Sequence, residues 1–185
     1  MLQFHHIETA LTATTPIKLA DDGSRRAAVI MPIFEKNSQL YVLFTKRTET
    51  LSHHKGQISF PGGKQDDGDI SLFSTGLRET FEEIGITSSQ LELIGELDQM
   101  KTNVSNILLS TFVCKLSYPF QVKINESEVQ EIIEVPLNDL SNKKKWERGQ
   151  IKTEAKEIVA WFFDYDPHVI WGATAKLVQM LLELL

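Results

Sequence analysis

The sequence predicts a mixed β-sheet packed between helices, or an α+β arrangement of the same elements. Short apolar runs of strand length recur along the 185 residues, and 42% of the residues are apolar, which suffices for a sizeable core. Two or three stretches repeat apolar residues with the period of a helix. Strands and helices interleave without regular strand–helix–strand alternation, which argues against a fully parallel sheet.

Length and charge narrow the possibilities further. The chain suits one domain with terminal additions, and we expect residues 1–24 to form an N-terminal helical extension to a domain of residues 25–185. The net charge of −6 argues against nucleic-acid binding through a basic surface. Cys114 is the single cysteine, so no internal disulfide is possible. The chain begins without a signal-peptide pattern and has no apolar run of transmembrane length, so we expect a cytoplasmic protein with no membrane partner.

The first elements are a weak helix and a β-hairpin. Residues 7–20 are weakly helical, and residues 21–24 form a turn cluster. Apolar runs at 27–34 and 40–45 predict two strands, which the polar residues 35–38 join as a hairpin loop.

The segment 45–63 is basic within an acidic chain, which indicates a site for an anion such as a phosphate. Loop cations that only face solvent explain the same charges. Adjacent histidine side chains diverge in an extended segment, so we expect no histidine metal site here. The basic residues are Lys46, Arg47, His53, His54 and Lys55.

A helix is predicted to follow this segment. Asp69 or Ser71 can cap its first turn, and Gly85 suits a left-handed C-terminal cap. On a helical wheel, one side carries apolar side chains that we expect to be buried, and the other side carries three carboxylates. The apolar set is Ile70, Phe73, Leu77, Phe81 and Ile84, and the acidic set is Glu79, Glu82 and Glu83.

The three carboxylates of this helix are expected to share one surface spot. Like charges at this spacing repel each other, and Arg78, alone beside them, is not expected to neutralise all three. A bound divalent cation resolves the repulsion. Carboxylate oxygens without a nearby Cys or His cluster favour Mg²⁺ or Mn²⁺ over Zn²⁺. A solvated acidic face is the alternative.

The second half of the chain predicts further strands and one helix. Patterns at 91–97 and 107–116 predict two strands, and an acidic loop leads into another strand within 125–137. Residues 140–153 are polar and basic and are expected to be exposed, whereas 159–165 predict a strand. The last helix has an apolar stripe that predicts core packing or a homodimer contact. The stripe is Leu177, Val178, Leu181, Leu182 and Leu185.

The sequence RETFEEIGI at residues 78–86 resembles the second half of the Nudix box, G-x5-E-x7-R-E-U-x-E-E-x-G-U, in which U is apolar. Thr80 stands where an apolar residue is usual. Counted back from Arg78, the first glutamate of the box falls on Ile70, and the acidic residue, Asp69, lies one place early. The matching residues are Arg78, Glu79, Glu82, Glu83, Gly85 and Ile86.

This shifted first half occurs in the coenzyme A pyrophosphatase branch of that family, and two other segments resemble the same branch. Residues 45–63 resemble its extra motif before the box, although Ser52 stands where the motif often has Arg. The segment WGATA at residues 171–175 resembles its C-terminal signature. The matching residues of the extra motif are Thr45, Arg47, Gly56, Phe60, Pro61, Gly62 and Gly63.

The resemblance implies a fold and a metal site. The fold would be the Nudix α/β/α sandwich of the α/β class, a mixed sheet between helices, over residues 25–185. The activity would be hydrolysis of pyrophosphate bonds with Mg²⁺ or Mn²⁺ as cofactor. The implied metal ligands are Glu79, Glu82 and Glu83, with a backbone carbonyl of Gly62 or Gly63 able to add one more.

The resemblance also implies roles for other residues. Arg78 would orient a glutamate of the box through a charge-assisted bond. The general base would be a box glutamate such as Glu82, or Glu128 in the acidic loop, with Glu126 as the second choice there.

The implied substrate is a small nucleotide, coenzyme A or one of its thioesters, cleaved to 3′,5′-ADP and 4′-phosphopantetheine. Arg47 with Lys46 or Lys55 is expected to bind the 3′-phosphate, and Lys55 or His53 to compensate for Ser52. The main alternative is a Nudix hydrolase that acts on ADP-ribose or NADH. The isopentenyl diphosphate isomerase branch needs a cysteine in a context absent here, and non-catalytic modules of the fold usually lose box glutamates that this chain keeps.

Overall fold

The computed structural model describes residues 2–49, 55–102, 106–152 and 157–185. Within these residues eight strands form a main sheet and three form a smaller antiparallel sheet. The helices are α1 (Phe4–Thr12), α2 (Leu72–Ile84), α3 (Leu137–Leu140) and α4 (Gly172–Leu184). The main-sheet strands are β1 (Arg25–Lys36), β2 (Gln39–Arg47), β3 (Ile58–Ser59), β4 (Gly62–Lys64), β5 (Leu91–Glu96), β6 (Met100–Lys101), β7 (Ile107–Leu116) and β8 (Val129–Pro136). The smaller sheet contains β9 (Trp146–Lys152), β10 (Glu157–Tyr165) and β11 (His168–Trp171).

The main sheet is mixed, as the sequence predicts. Its central path runs β3-β2-β1-β7-β5, and β4, β6 and β8 pair with β1, β7 and β2. β1 and β7 are parallel, whereas the other pairs are antiparallel. The parallel pair forms the middle of the sheet, so both of its faces must be covered.

Both faces of β1 are buried, because its side chains alternate between two separate apolar clusters. Ala27 and Met31 belong to the cluster shared with α1, α4 and the smaller sheet. Ala28 and Ile30 belong to the cluster on the α2 side. Since successive strand residues point to opposite faces, the sheet lies between helical layers, which confirms the predicted α/β class.

Helix α2 has the predicted caps but not the predicted buried face. Ser71 accepts a hydrogen bond from the Ser74 N–H at 3.0 Å, and Gly85 ends the helix at φ 73°. The expected apolar face is partly wrong, because Ile70 is 95% exposed and Phe81 is 55% exposed. The residues that are buried on α2 are Thr75, Gly76, Thr80, Glu83 and Ile84.

The reason for this rotation is the close approach of α2 to β1. A Cβ on Gly76 would lie 2.8 Å from the Ile30 Cδ1 atom, so the helix packs against the sheet through a small residue. Thr80 is fully buried, and its hydroxyl donates to the Gly76 carbonyl at 2.7 Å. The hydroxyl is therefore satisfied where the Nudix box usually has an apolar side chain.

The smaller sheet and α4 lie on the opposite face from α2, within the same core cluster as α1. The Thr174 hydroxyl of α4 donates to the Ile58 carbonyl of β3 at 3.0 Å, which ties the start of α4 to the main sheet. The apolar stripe of α4 packs into the core at Leu177, Val178 and Leu181. Most described residues of the segment 140–153 are exposed, as expected, but the sequence did not predict the strand β9, which lies within it and pairs with β10.

Candidate active site

A glycine bend connects the main sheet to α2. The Gly62 N–H donates to the Glu83 carboxylate at 3.3 Å, and Gly62 has φ 151°. A Cβ on Gly62 would overlap the Ala28 carbonyl oxygen, and a Cβ on Gly63 would overlap the Glu79 carboxyl group. The two glycines therefore let β4 pack directly against β1 and against a carboxylate of the helix.

Glu83 is the most deeply buried acidic side chain of this region, with 3% of its side chain exposed. Burial raises the pKa of Glu83 to about 8, and the nearby charges of Glu79 and Glu128 add to the shift. The hydrogen bond from the Gly62 N–H and the charge of the Arg47 guanidinium lower the pKa of Glu83 and so partly offset this shift. The Arg47 Nη1 atom lies 3.7 Å from the Glu83 Oε1 atom, so this neutralisation is weak.

Arg78 links the remaining acidic residues. Its guanidinium donates to both carboxylate oxygens of Asp69, at 3.0 and 2.9 Å, and to the Lys64 carbonyl at 3.1 Å. It also donates to Glu79 at 2.9 Å and to Glu82 at 3.2 Å. The bidentate bond from Arg78 holds the pKa of Asp69 well below its usual range. Asp69 therefore serves as the anchor of Arg78 in this structure.

The three box glutamates do not meet at one point in the structure. No group of three or more described His, Cys, Asp or Glu side chains is close enough to hold a metal ion. Glu83 turns to the glycine bend, whereas Glu79 and the half-exposed Glu82 turn to Arg78. Arg78 pairs with Glu79 and Glu82, and β2 brings a second cation, Arg47, to Glu83 from a distant part of the sequence.

The donor chemistry of this region nevertheless fits a hard divalent cation. Glu83 is a buried carboxylate with one N–H donor and one distant guanidinium. Glu79 lies against Gly63 with part of its side chain buried, and burial raises its pKa. Buried carboxylates with incomplete neutralisation are suitable ligands for Mg²⁺ or Mn²⁺. Glu82 would have to leave Arg78 to join them.

The acidic loop before β8 is bonded to the end of α2. The Lys123 N–H donates to the Ile84 carbonyl at 2.8 Å, and the Asn125 N–H donates to the Glu83 carbonyl at 2.9 Å. This loop holds Glu128 half-buried, with its carboxylate accepting from the Asn125 amide at 3.3 Å. The Glu128 charge acts on Glu83, whereas Glu126 is exposed to solvent.

A cleft of about 860 Å³ lies beside the glycine bend. Arg47 and Gly62 line it at the end nearest Glu83. Its other walls come from β9, β10, the start of α4 and the edge of the main sheet. The aromatic and basic residues on these walls are Phe60, Lys101, Arg148, Trp161, Trp171 and Lys176. None of the described residues that line the cleft is Asp or Glu, although the whole chain carries a net charge of −6.

The predicted phosphate-binding residues separate in the structure. Arg47 lines the cleft, but Lys46 points elsewhere and pairs with Glu131 at 3.0 Å, because neighbouring strand residues face opposite sides. Lys55 is exposed and does not line the cleft. Joint binding of one phosphate by Arg47 and Lys46 does not match this arrangement. Ser52, His53 and His54 lie outside the described residues.

Comparison with known proteins decides the family. The NUDIX domain profile matches residues 24–162. The chain belongs to the Nudix family. It is 32% identical to an uncharacterised Nudix hydrolase, NudL, of Photorhabdus laumondii over 91% of this chain and 89% of that protein. It is 30% identical to the peroxisomal coenzyme A diphosphatase NUDT7 of Mus musculus over 85% of this chain and 69% of that protein.

The Nudix assignment agrees with the fold. A Nudix hydrolase from Alicyclobacillus acidocaldarius superposes with a TM-score of 0.56 at 17% identity, covering 86% of this chain and 91% of that one. The chain is thus a Nudix hydrolase that cleaves pyrophosphate bonds in nucleotide-derived substrates. No helix among the described residues is both long and apolar enough to cross a membrane.

The sequence interpretation missed the residues of the far cleft wall. Trp161 and Arg148 lie on β10 and β9 and are cross-strand partners. The sequence of β9, WERGQIK, is rich in charged and polar residues, so it does not show the apolar pattern of a buried strand. Trp146 and Ile151 lie five residues apart and so face opposite sides of the strand, and no period-2 apolar signal marks β9 in the sequence.

Proposed function

We propose that this Nudix hydrolase cleaves coenzyme A or its thioesters, with Mg²⁺ or Mn²⁺ as the cofactor. The products would be 3′,5′-ADP and 4′-phosphopantetheine. Support comes from the 30% identity to a coenzyme A diphosphatase and from the match of residues 45–63 to the extra motif of that branch. The cytoplasmic location and the homodimer expected from the sequence stay predictions.

The observation that carries the proposal is that two residues lining the cleft also contact a glutamate of the acidic cluster, which consists of Glu79, Glu82 and Glu83. Arg47 and Gly62 line the cleft, and both also contact the buried Glu83. A pyrophosphate placed at this shared end would lie beside the box glutamates. The rest of the substrate would extend along walls that are aromatic, apolar and basic, which suits an anionic nucleotide with a long organic arm.

Glu79, Glu82 and Glu83 would hold the cation in this proposal. A bound Mg²⁺ or Mn²⁺ would supply positive charge for the phosphate oxygens and increase the acidity of water. Glu83 brings a carboxylate that is already desolvated, which strengthens its attraction to a cation. Glu82 is half-exposed and is held by one long bond to Arg78, so it can rotate away at little cost.

Other side chains would position the reaction. Arg78, anchored on Asp69, would fix the orientation of the Glu79 carboxylate through its 2.9 Å bond. Glu128 would accept a proton from the attacking water, with Glu82 as the second candidate for this role. The water oxygen would form the new bond to phosphorus, and the bridging P–O bond would break.

Product analysis tests the proposed function. The protein is incubated with coenzyme A and Mg²⁺, with ADP-ribose and NADH in parallel, and the products are identified by mass. We expect 3′,5′-ADP and 4′-phosphopantetheine, with the highest kcat/KM for coenzyme A or a thioester. A higher kcat/KM for ADP-ribose or NADH would retain the hydrolase chemistry and overturn the substrate assignment.

A substitution at Glu83 tests whether the activity depends on the glutamates of the Nudix box. Glu83→Gln removes the buried carboxylate while keeping its size, and we expect a loss of at least about a thousandfold in kcat, as for other residues that hold a catalytic ion. Glu92→Gln is the control, because Glu92 is an exposed glutamate of β5 outside the cluster. Equal activity of the two variants would contradict the assignment.

A further inference from the structure

Arg148 is held in place by an aromatic ring. Its guanidinium carbon lies 4.4 Å from the centre of the Trp161 ring, directly across the β9–β10 pair. Trp161 is itself fixed by the edge of Trp146, whose ring centre is 6.2 Å away. A guanidinium held over an indole face keeps the N–H groups at its edge available for hydrogen bonds while it loses rotational freedom. Arg148 is therefore oriented before any ligand arrives.

Arg148 also lacks an anionic partner among the described residues. No described Asp or Glu lies within ion-pair distance of it, whereas Lys101 on the same cleft pairs with Asp22 and Arg47 faces Glu83. Arg148 lines the cleft together with Trp161 and carries its charge into a space without described carboxylates. A fixed, unpaired guanidinium in such a space is suited to a phosphate.

Arg148 and the glycine bend line the cleft from different elements. Arg148 lies on the smaller sheet, whereas Gly62 and Glu83 belong to the main sheet and α2. With the pyrophosphate at the end of the cleft marked by Arg47 and Gly62, a phosphate bound by Arg148 on the β9 wall would be a third phosphate of the substrate, attached to the half beside Trp161. Trp161 lines the cleft beside Arg148, and its indole suits contact with a nucleobase, so that half would be the nucleotide.

We propose that Arg148 is a specificity-determining residue that binds the 3′-phosphate of the 3′-phosphoadenosine half of the substrate, with Trp161 as its positioning residue. This inference rests on the proposed function for the identity of the substrate. It assigns the binding of the 3′-phosphate to the smaller sheet, whereas the sequence led us to expect this contact in the basic segment 45–63. Coenzyme A and its dephosphorylated analogue differ only in this phosphate, so they form a matched pair of ligands.

Binding of nucleotide products provides a test that does not need turnover. Calorimetry compares 3′,5′-ADP with 5′-AMP on the wild type and on Arg148→Ala. We expect the wild type to bind 3′,5′-ADP at least about tenfold more tightly, which is the usual value of one charge-assisted contact, and the variant to lose this preference. Lys144→Ala is the control, because Lys144 is an exposed cation of the same segment outside the cleft.

Kinetics with coenzyme A and with dephospho-coenzyme A distinguishes failure of the Arg148 inference from failure of the proposed function. Arg148→Ala is expected to raise the KM for coenzyme A about tenfold. The KM for dephospho-coenzyme A should stay within about twofold of the wild-type value. Trp161→Phe, which keeps a ring under the guanidinium, should retain most of the preference. An unchanged preference for 3′,5′-ADP in Arg148→Ala would overturn the inference. A wild type that prefers 3′,5′-ADP but cleaves neither coenzyme would instead overturn the proposed function alone.

Discussion

The Arg47 guanidinium, which lines the cleft, lies 3.7 Å from the buried Glu83 carboxylate of α2. Among the described residues, Arg47 is the one cation within ion-pair distance of Glu83. In the proposed function, Arg47 therefore acts on a carboxylate that every substrate would need. This relationship differs from the expectation that Arg47 recognises the 3′-phosphate of coenzyme A.

Arg47→Gln tests this relationship. We expect kcat/KM to fall by about tenfold or more, by the same factor for coenzyme A and for dephospho-coenzyme A, because the lost contact belongs to Glu83 and not to the 3′-phosphate. Steady-state kinetics on both substrates measures the two factors. A clearly larger loss for coenzyme A would return Arg47 to 3′-phosphate recognition.

Gly63→Ala is expected to displace a predicted metal ligand. The new methyl group would overlap the Glu79 carboxyl group, so Glu79 must move or the bend must open. We expect kcat to fall by at least about a hundredfold and Mg²⁺ to bind more weakly, while the fold is retained. Activity assays and calorimetry with Mg²⁺ measure both effects.

Gly68→Ala is the matched control for this substitution. Gly68 lies in the loop that follows β4, and a Cβ there would meet no atom within 4 Å. We expect activity within twofold of the wild type. Similar losses in both glycine variants would show that loop rigidity, and not the position of Glu79, limits activity.

Asp69→Asn is expected to destabilise the fold. The variant keeps the shape but removes the charge that holds Arg78, and the loss of a charged hydrogen-bond pair is worth about 1 to 3 kcal/mol. Because Arg78 holds the pKa of Asp69 below its usual range, this stabilisation is present at neutral pH and is lost as the pH falls below about 4. Urea unfolding at pH 7 and at about pH 2 measures the difference.

The exposed neighbour Asp67 supplies the control for Asp69. Asp67→Asn should leave the unfolding free energy within about 0.5 kcal/mol of the wild type, as is usual for surface substitutions. If Asp69→Asn were equally neutral at pH 7, Asp69 would not be the anchor of Arg78 in solution.

Mg²⁺ binding is expected to depend on pH through Glu83. Its pKa of about 8 in the metal-free protein means that the carboxyl group is mostly protonated at pH 7, and a cation must displace that proton. Affinity should thus rise about tenfold per pH unit from pH 6 to pH 8 and level off above. Without the metal, the free energy of unfolding is expected to fall as the pH rises from about 4.5 to about 8, because Glu83 loses its proton in the unfolded chain over this range and keeps it in the folded protein.

Calorimetry in buffers with different ionisation enthalpies measures the released proton. The Glu83→Gln variant should release almost no proton when it binds Mg²⁺. Its affinity for Mg²⁺ should be weaker and should not change with pH between about pH 6 and pH 8. Proton release that is unchanged in Glu83→Gln would assign the titration to another group.

Local sequence signals predicted the elements of the site better than their orientation. Ser71 and Gly85 cap α2 as expected, because a cap depends on residues that are adjacent in the chain. The buried face of α2 was misjudged, because Gly76 and Thr80 carry no apolar signal and yet face the sheet. Their burial follows from the packing of α2 on β1, which a helical wheel does not contain.

Contacts between distant segments could not be predicted from spacing alone. Arg47 reaches Glu83 only because the register of the main sheet brings β2 beside the glycine bend. The Arg148–Trp161 pair depends on the register of β9 with β10, and β9 was expected to be an exposed polar segment. Long-range pairing of this kind is fixed by tertiary packing and not by local propensity.

Diffraction from crystals soaked in Mn²⁺ tests the central claim most directly, because the anomalous signal locates the ion independently of activity. The account predicts one strong peak roughly 2.1 Å from carboxylate oxygens of Glu83 and Glu79, with Glu82 released from Arg78. A saturated crystal without a peak there, in which Glu79 and Glu82 keep their bonds to Arg78 and Glu83 stays on Arg47, would contradict it.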